Sequence, residues 1–196
     1  AAERAAAKTD SKNPPPLYVI GAEVPTPGGS LATRADVPVS NPEEVAEFIH
    51  ACRQIFTESG LDAAWTRVIA VVVQPGIDFG QHWVAPYDRQ SAEALSEFHS
   101  RLPGAATYEI HATDFQTPQG LSQMVADHFP LLKVGPCLNF AFREAVFALE
   151  QIEQEWLGDR KSISPATIRQ VLCKVMDADP GYWHSHHRAE SASDWR

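Results

Sequence analysis

Four short apolar segments rich in β-branched residues recur along the chain and predict buried strands. They are 17–24 (LYVIGAEV), 67–75 (RVIAVVVQP), 107–112 (TYEIHA) and 131–136 (LLKVGP). The second is nearly continuous in valine and isoleucine rather than alternating, which is typical of a strand covered on both faces in a parallel sheet. The pattern therefore favours an α/β fold with a parallel sheet.

Segments with helical periodicity follow each predicted strand. Asn41-Pro42 and Thr117-Pro118 each place a capping residue before a proline, as helix N-termini often do. The predicted helices begin at about residues 42, 91, 118 and 138, and a further one begins at Ser164-Pro165. Four βα units in succession imply parallel strands with right-handed crossovers.

Two architectures satisfy this order: an open doubly wound sheet, or part of a (β/α)₈ barrel. The glycine-rich turn after the first strand, VPTPGGS, lacks the G-x-G-x-x-G spacing of a dinucleotide fold. Four units are half of a barrel, which commonly needs about 250 residues. The chain divides into a helix remnant and linker (1–16), the βα units (17–176) and an irregular tail (177–196).

Composition narrows the class of protein. The 196 residues are 44% hydrophobic, enough for one globular core. The longest apolar segment is too short to span a membrane, and three separated cysteines predict neither disulfides nor a thiolate metal site. We therefore expect a soluble, cytoplasmic protein without a membrane partner.

The formal net charge of -9 argues against nucleic acid as a partner, because phosphate binding needs clustered lysine and arginine. An anionic ligand would need a local basic or amide-rich pocket instead.

Each predicted strand ends beside one polar side chain. These are Glu23, Gln74, His111 and Lys133. Because the carboxyl ends of parallel strands meet at one edge of a sheet, this edge is the candidate site.

The segment 109–118, EIHATDFQTP, is the richest of these strand ends. His111 is either a divalent-metal ligand or a satisfied network residue. Asp114 is either an acid/base or a partner of His111, or it orients the turn. Gln116 contacts either a sugar hydroxyl or the backbone. Glu109 lies two residues before His111 and should share its face of the strand.

The segment after the fourth strand offers cationic and amide groups. Lys133 either forms a Schiff base or clamps a phosphate, or it pairs with Glu109 or Glu23. Gly135, at the start of the next helix, can present its amide to an anion. The histidines of the tail, in HSHH, are interpreted as incidental.

Several long segments of this sequence, taken in order, resemble one family. They are VIGAEVPTPGG, RVIAVVVQPGIDFG, EIHATDFQTP, DHFPLLKVGPCLNFAFREAVFALEQIE and VMDADPGYW. Together they are similar to the accessory, so-called non-catalytic, subunit of class II D-tagatose-1,6-bisphosphate aldolase, over about residues 3–183.

The resemblance implies a (β/α)₈ barrel of which this chain holds about four βα units, corresponding to strands five to eight. It also implies that upstream units, including an Asp-His pair on a strand end, are absent. Its functional implication is an accessory subunit that supports the activity and stability of a catalytic aldolase subunit. Related barrels imply an alternative, a metal-dependent C4-epimerase of ketose phosphates or ketouronates.

The resemblance also implies site residues. His111 matches the histidine of the family's E-x-H-S-T-D-Y-Q-T-type segment, with Ala112 in place of serine and Phe115 in place of tyrosine. By role, the expected residues are catalytic Glu23, Asp114 and Lys133; substrate-binding Gln74, Gln116 and Gly135; and the metal ligand His111. The implied cofactor is a divalent metal such as Zn or Mg, and the implied partners are the aldolase subunit and a sugar phosphate. A half-barrel should also leave apolar surface on its two open edges, so we expect that surface to drive dimerisation or aggregation.

Overall fold

The computed structural model describes residues 3, 5, 14–21, 29–30, 37–80, 82–160 and 162–184, and these residues form six strands and six α-helices. The strands are β1 (Tyr18–Ile20), β2 (Val68–Val73), β3 (Asp78–Phe79), β4 (Val84–Ala85), β5 (Thr107–Ile110) and β6 (Leu131–Leu132). The helices are α1 (Pro42–Glu58), α2 (Asp62–Trp65), α3 (Glu93–Phe98), α4 (Pro118–Ala126), α5 (Pro136–Leu157) and α6 (Ile168–Ala178). Short 3₁₀ helices cover His99–Arg101 and Pro180–Tyr182.

The main sheet is parallel, with strand order β1-β2-β5-β6. Each of these strands pairs with the next one along the chain, so their order does not reverse. The predicted α/β fold with a parallel sheet is confirmed. The short β3–β4 hairpin forms a separate antiparallel pair in the connection after β2.

The helix starts that depend on local capping are confirmed. The Asn41 side chain accepts from the amide of Glu43 at 2.7 Å, and Thr117 Oγ1 accepts from the amide of Gly120 at 3.0 Å. In both helices a proline follows the cap, where its missing N–H costs no helical hydrogen bond.

The last helix begins later than predicted. Ser164-Pro165 precedes α6 by several residues, and α6 begins at Ile168. The reason lies in α5, where Glu153 Oε2 accepts from the amide of Ala166 at 2.9 Å and buried Glu150 accepts from the amide of Arg169 at 3.3 Å. These carboxylates replace a local side-chain cap, since the residue before α6 supplies none.

The predicted strands were too long at their carboxyl ends. Described pairing ends at Val73, Ile110 and Leu132, so the polar residues that follow lie on the connecting loops. The hairpin and α2 were missed, because elements of two to four residues are too short to show a period.

The core lies on one face of the sheet. Tyr108 and Ile110 of β5 are fully buried and pack with Leu95, Met124 and Phe129 from the helical side. Since side chains alternate along a strand, Glu109 and the residue after Ile110 point to the opposite face. The sheet thus has a covered apolar face and a second face that carries polar groups.

Many large apolar side chains remain exposed in the described part of the chain. Leu17 and Val19 lie at the β1 edge, and the others are concentrated on α5 and α6. In the part of the chain that the structure describes, no helix combines the length and hydrophobicity that crossing a membrane requires.

Candidate active site

Three polar side chains meet at the carboxyl ends of β5 and β6. The distance from Glu109 Oε1 to His111 Nε2 is 2.9 Å and that to Lys133 Nζ is 3.1 Å. Lys133 Nζ also lies 3.2 Å from His111 Nε2. We call these three residues the Glu-His-Lys cluster. It forms because Glu109 and His111 share a face of β5, as the sequence predicted, and β6 pairs alongside.

The carboxylate of the cluster is ionised. Burial alone would raise the pKa of Glu109, but hydrogen bonds from His111 and Lys133 outweigh it and hold that pKa below its ordinary value. The side chains of Glu109 and His111 are 12% and 14% exposed, whereas that of Lys133 is 61% exposed. Glu109 therefore acts as a fixed anion, and the lysine ammonium is the group that faces outward.

One ring nitrogen of His111 has no partner among the described residues. Its Nδ1 atom is buried and makes no hydrogen bond within the described residues, while Nε2 faces Glu109 and Lys133. Either tautomer therefore leaves a buried donor or acceptor unpaired, which costs about 1–3 kcal/mol.

The turn after β5 is strained. Ala112 and Phe115 have φ of 55° and 63°, in the left-handed region that non-glycine residues rarely adopt. Such backbone costs on the order of 1–3 kcal/mol per residue and persists only where its surroundings hold it. Here Thr113 Oγ1 donates to the carbonyl of Lys133 at 2.6 Å, and the Lys133 amide donates to the carbonyl of Ile110 at 3.0 Å. These bonds fix the turn against the end of β6.

Asp114, predicted as an acid/base, lies at the N-terminus of α5. It is 3% exposed, and its Oδ1 accepts from the amides of Gly135 at 3.1 Å and Cys137 at 2.9 Å. A hydrogen bond to this carboxylate, together with burial, raises the pKa of the Cys137 thiol. Asp114 thus caps α5 from a distant loop, and the Gly135 amide, predicted to meet an anion of the ligand, meets Asp114.

The two glutamines also bond to the chain itself. Gln74 Oε1 accepts from the amides of Gly76 and Ile77, both at 3.0 Å. Gln116 accepts from the amide of Tyr87 at 3.1 Å and donates to the carbonyl of β4 residue Ala85 at 2.8 Å. Each glutamine holds a loop beside the strand ends. Glu23 lies outside the described residues, as do most of segment 1–16 and the tail beyond residue 184.

Comparison with known proteins shows the family to which this chain is similar. The model of the D-tagatose-1,6-bisphosphate aldolase subunit GatZ/KbaZ-like family matches residues 1–195. The chain belongs to this family. The recognition made from the sequence motifs is confirmed.

A solved structure supports the fold of this GatZ/KbaZ-like chain. The crystal structure of a probable tagatose 6 phosphate kinase from Sinorhizobium meliloti 1021 is similar with a TM-score of 0.75 and 37% sequence identity. The match covers 92% of this chain and 42% of that one. The GatZ/KbaZ-like chain therefore spans less than half the length of this neighbour.

The described part of the GatZ/KbaZ-like chain does not form a metal site. It contains no group of three or more His, Cys, Asp and Glu side chains placed to hold an ion. The cluster offers two donor residues, Glu109 and His111, and the Lys133 ammonium lies 3.2 Å from the imidazole nitrogen that faces it. A divalent cation at that nitrogen would be repelled, so further donors and a shift of the lysine would be required.

Two residues important to this edge escaped the sequence analysis. Thr113 anchors the turn to β6, and Cys137 shares its acceptor with Gly135. Their partners lie about twenty residues away in the chain, so no local motif marks them. The Glu109 contact was predictable, because two-residue spacing on a strand puts side chains on one face.

Proposed function

We propose that this chain is an accessory subunit of class II D-tagatose-1,6-bisphosphate aldolase, supporting the activity and stability of a catalytic aldolase subunit in cytoplasmic tagatose or galactitol catabolism. Family membership supports the aldolase context. The observation that supports the accessory role is that the side chains of Asp114, Gln74 and Gln116 all bond to backbone amides of this chain. Groups used in this way hold loops in place and are poorly placed to move protons.

The ligand that we propose for this edge is a sugar phosphate. Lys133 is its anchor, since its ammonium is exposed while its backbone is bonded on both sides. Glu109 and His111 position that ammonium. Because Glu109 neutralises it in the free protein, an incoming phosphate must compete with the carboxylate, which favours modest affinity.

We also propose that the four parallel strands are part of a (β/α)₈ barrel, equivalent to strands five to eight. Their sequential order fits neighbouring βα units of a barrel. The polar face of β5 would then point toward the barrel axis.

The test is to assay cleavage of tagatose 1,6-bisphosphate by a catalytic class II aldolase subunit with and without this chain. We expect a higher rate and a longer half-life at elevated temperature when the chain is added. Lys133→Met should weaken sugar-phosphate binding by calorimetry, whereas Lys174→Met, an exposed lysine on α6, should not. An aldolase whose rate and half-life are unaffected by the chain would contradict the accessory role.

The alternative function is a metal-dependent ketose-phosphate or ketouronate C4-epimerase. Nδ1 of His111, which has no partner in the part of the chain that the structure describes, and the strained turn beside it favour a site that is completed by a ligand. In this reading Glu23 and Asp114 exchange protons, and Lys133 neutralises developing negative charge. The metal, Zn or Mg, would need donors beyond those that the structure describes.

The alternative is separated from the accessory role by assaying the chain alone. Turnover of tagatose 6-phosphate or fructose 6-phosphate with added Zn²⁺ or Mg²⁺, lost in His111→Ala, would support the epimerase. Absence of turnover, together with no heat of Zn²⁺ binding by calorimetry, would exclude it for this chain.

A further inference from the structure

One side of α5 carries an uninterrupted row of exposed apolar residues. Its members recur at spacings of four and three: Leu138, Phe142, Ala145, Leu149, Ile152 and Trp156. We call this row the α5 seam. Its large side chains are between 58% and 74% exposed. A spacing that averages about 3.6 residues keeps these side chains on one side of the helix, along which another helix can pack.

Among the residues that the structure describes, α5 packs through a side other than the α5 seam. Glu150, which is the buried residue of α5, lies roughly 120° around the helix from the α5 seam and bonds to the start of α6. Arg169 of α6 lies over the ring of Phe147, 4.5 Å from its centroid. Thus α6 covers a different side of α5 from the α5 seam.

The α5 seam is symmetric about residue 147. In an antiparallel pair of α5 helices, Leu138 faces Trp156 of the other copy, Phe142 faces Ile152, and Ala145 faces Leu149. Trp156, the largest residue of the row, meets Leu138 at each end of the pair. Ala145, the smallest, lies next to the centre, so the helices can approach closely near the two-fold axis.

The charges that flank the α5 seam favour the same arrangement. Glu153 and Glu155 lie beside its C-terminal half, while Asn139 and Ala141 lie beside its N-terminal half. An antiparallel pair sets each glutamate against a neutral residue of the other copy. A parallel pair would gather four glutamates at one end, where like charges repel.

We propose that a second copy of this chain covers the α5 seam, with the two α5 helices antiparallel about a two-fold axis near residue 147. The seam residues span about 27 Å of helix, at roughly 1.5 Å per residue. This interface is independent of the accessory function proposed above, since it lies on α5 rather than at the Glu-His-Lys cluster.

The first test compares two identical substitutions. Ile152 in the α5 seam is 58% exposed, and Ile55 on α1 is 59% exposed. Sedimentation equilibrium should show a dimer for the wild type and for Ile55→Glu. Ile152→Glu should raise the dimer dissociation constant on the order of a hundredfold, because it buries a carboxylate against Phe142. Unchanged circular dichroism would show that the variant folds.

The second test reads the orientation directly. Ala148 and Ala141 are both exposed alanines on the same flank of the α5 seam, seven residues apart. In the antiparallel pair residue 148 lies beside residue 148 of the other copy, whereas residue 141 lies beside residue 155 of the other copy. Under mild oxidation Ala148→Cys should form a disulfide-linked dimer through residue 148, identified by peptide mass mapping, and Ala141→Cys should not.

Three results would overturn the proposal. The first is a wild-type chain that stays monomeric at about 100 µM. The second is equal cross-linking at residues 148 and 141, which indicates a parallel or disordered contact. The third is a monomer that binds the aldolase subunit and loses that binding in Ile152→Glu, which assigns the α5 seam to a different partner.

Discussion

Replacing Asp114 with alanine separates its capping role from a catalytic one. The buried carboxylate accepts two amide hydrogen bonds, from Gly135 and Cys137, at the first turn of α5. Alanine removes the single oxygen, Oδ1, that accepts both bonds, and it removes the negative charge beside the positive end of the helix dipole. Asparagine keeps one side-chain oxygen as an acceptor and removes only the charge.

The expected cost follows from these contacts. An amide left without its partner costs about 1–3 kcal/mol, and the charge at the helix N-terminus contributes about 0.3–1 kcal/mol. Gly135 and Cys137 are partly solvated, so the lower part of each range applies. We expect Asp114→Ala to lower the free energy of unfolding by about 2–4 kcal/mol and Asp114→Asn by about 1 kcal/mol.

Urea denaturation followed by circular dichroism measures these values. Asp159→Ala is the matched control, because Asp159 is exposed just beyond the opposite end of α5 and should change stability by less than about 0.5 kcal/mol. Asp114→Asn should also lower the pKa of Cys137 toward its ordinary value, seen as faster alkylation at pH 8. Equal small costs for alanine and asparagine, with no change in alkylation, would refute the capping role.

Three further changes test other contacts. Gln116→Ala should lower the free energy of unfolding by about 2 kcal/mol, and with it the midpoint of thermal unfolding, because the amide of Tyr87 loses its acceptor. An unchanged midpoint would mean that the glutamine serves a ligand and not the fold. Folding lowers the pKa of Glu109, so ionised Glu109 stabilises the fold at pH values above the pKa of an unfolded glutamate, about 4.3. This stabilisation is lost as the pH falls through the lower pKa of the folded state. Glu109→Gln should therefore flatten the pH dependence of the urea unfolding midpoint between about pH 5 and 3. Gly21→Ala should destabilise the β1–β2 pair by about 1–3 kcal/mol, since an added Cβ would lie 2.4 Å from Val72 Cβ; a neutral effect in urea titration would show that β1 moves freely.

The parts of the fold that the sequence predicted are those determined locally. Asn41 and Thr117 cap helices from within two or three residues, so their starts were visible as motifs. The start of α6 was not, because its amides bond to carboxylates of α5 more than ten residues earlier. Strand ends were overestimated for another reason, since each predicted segment included the polar residue that follows the last paired one: Gln74, His111 and Lys133.

In the candidate site, too, local features could be predicted and contacts with distant residues could not. Proximity of His111 and Lys133 was predictable from parallel strand order, and the Glu109 contact from alternation along β5. The role of Asp114 was not predictable, because its acceptor function depends on where the N-terminus of α5 lies after folding. A polar residue at a strand end is therefore a good predictor of position and a poor predictor of role.

The same contacts are the basis of our proposal that Lys133 anchors an anionic ligand. Its amide and carbonyl are both bonded to the β5 segment, and its ammonium is held by Glu109 and His111. Binding an anion there orders few additional bonds, which lowers the entropic cost of association. Yet the same carboxylate that positions the ammonium also competes with the ligand for it. A cation built in this way favours a ligand that contributes other contacts as well, and such contacts would come from residues or subunits facing the open polar side of the sheet.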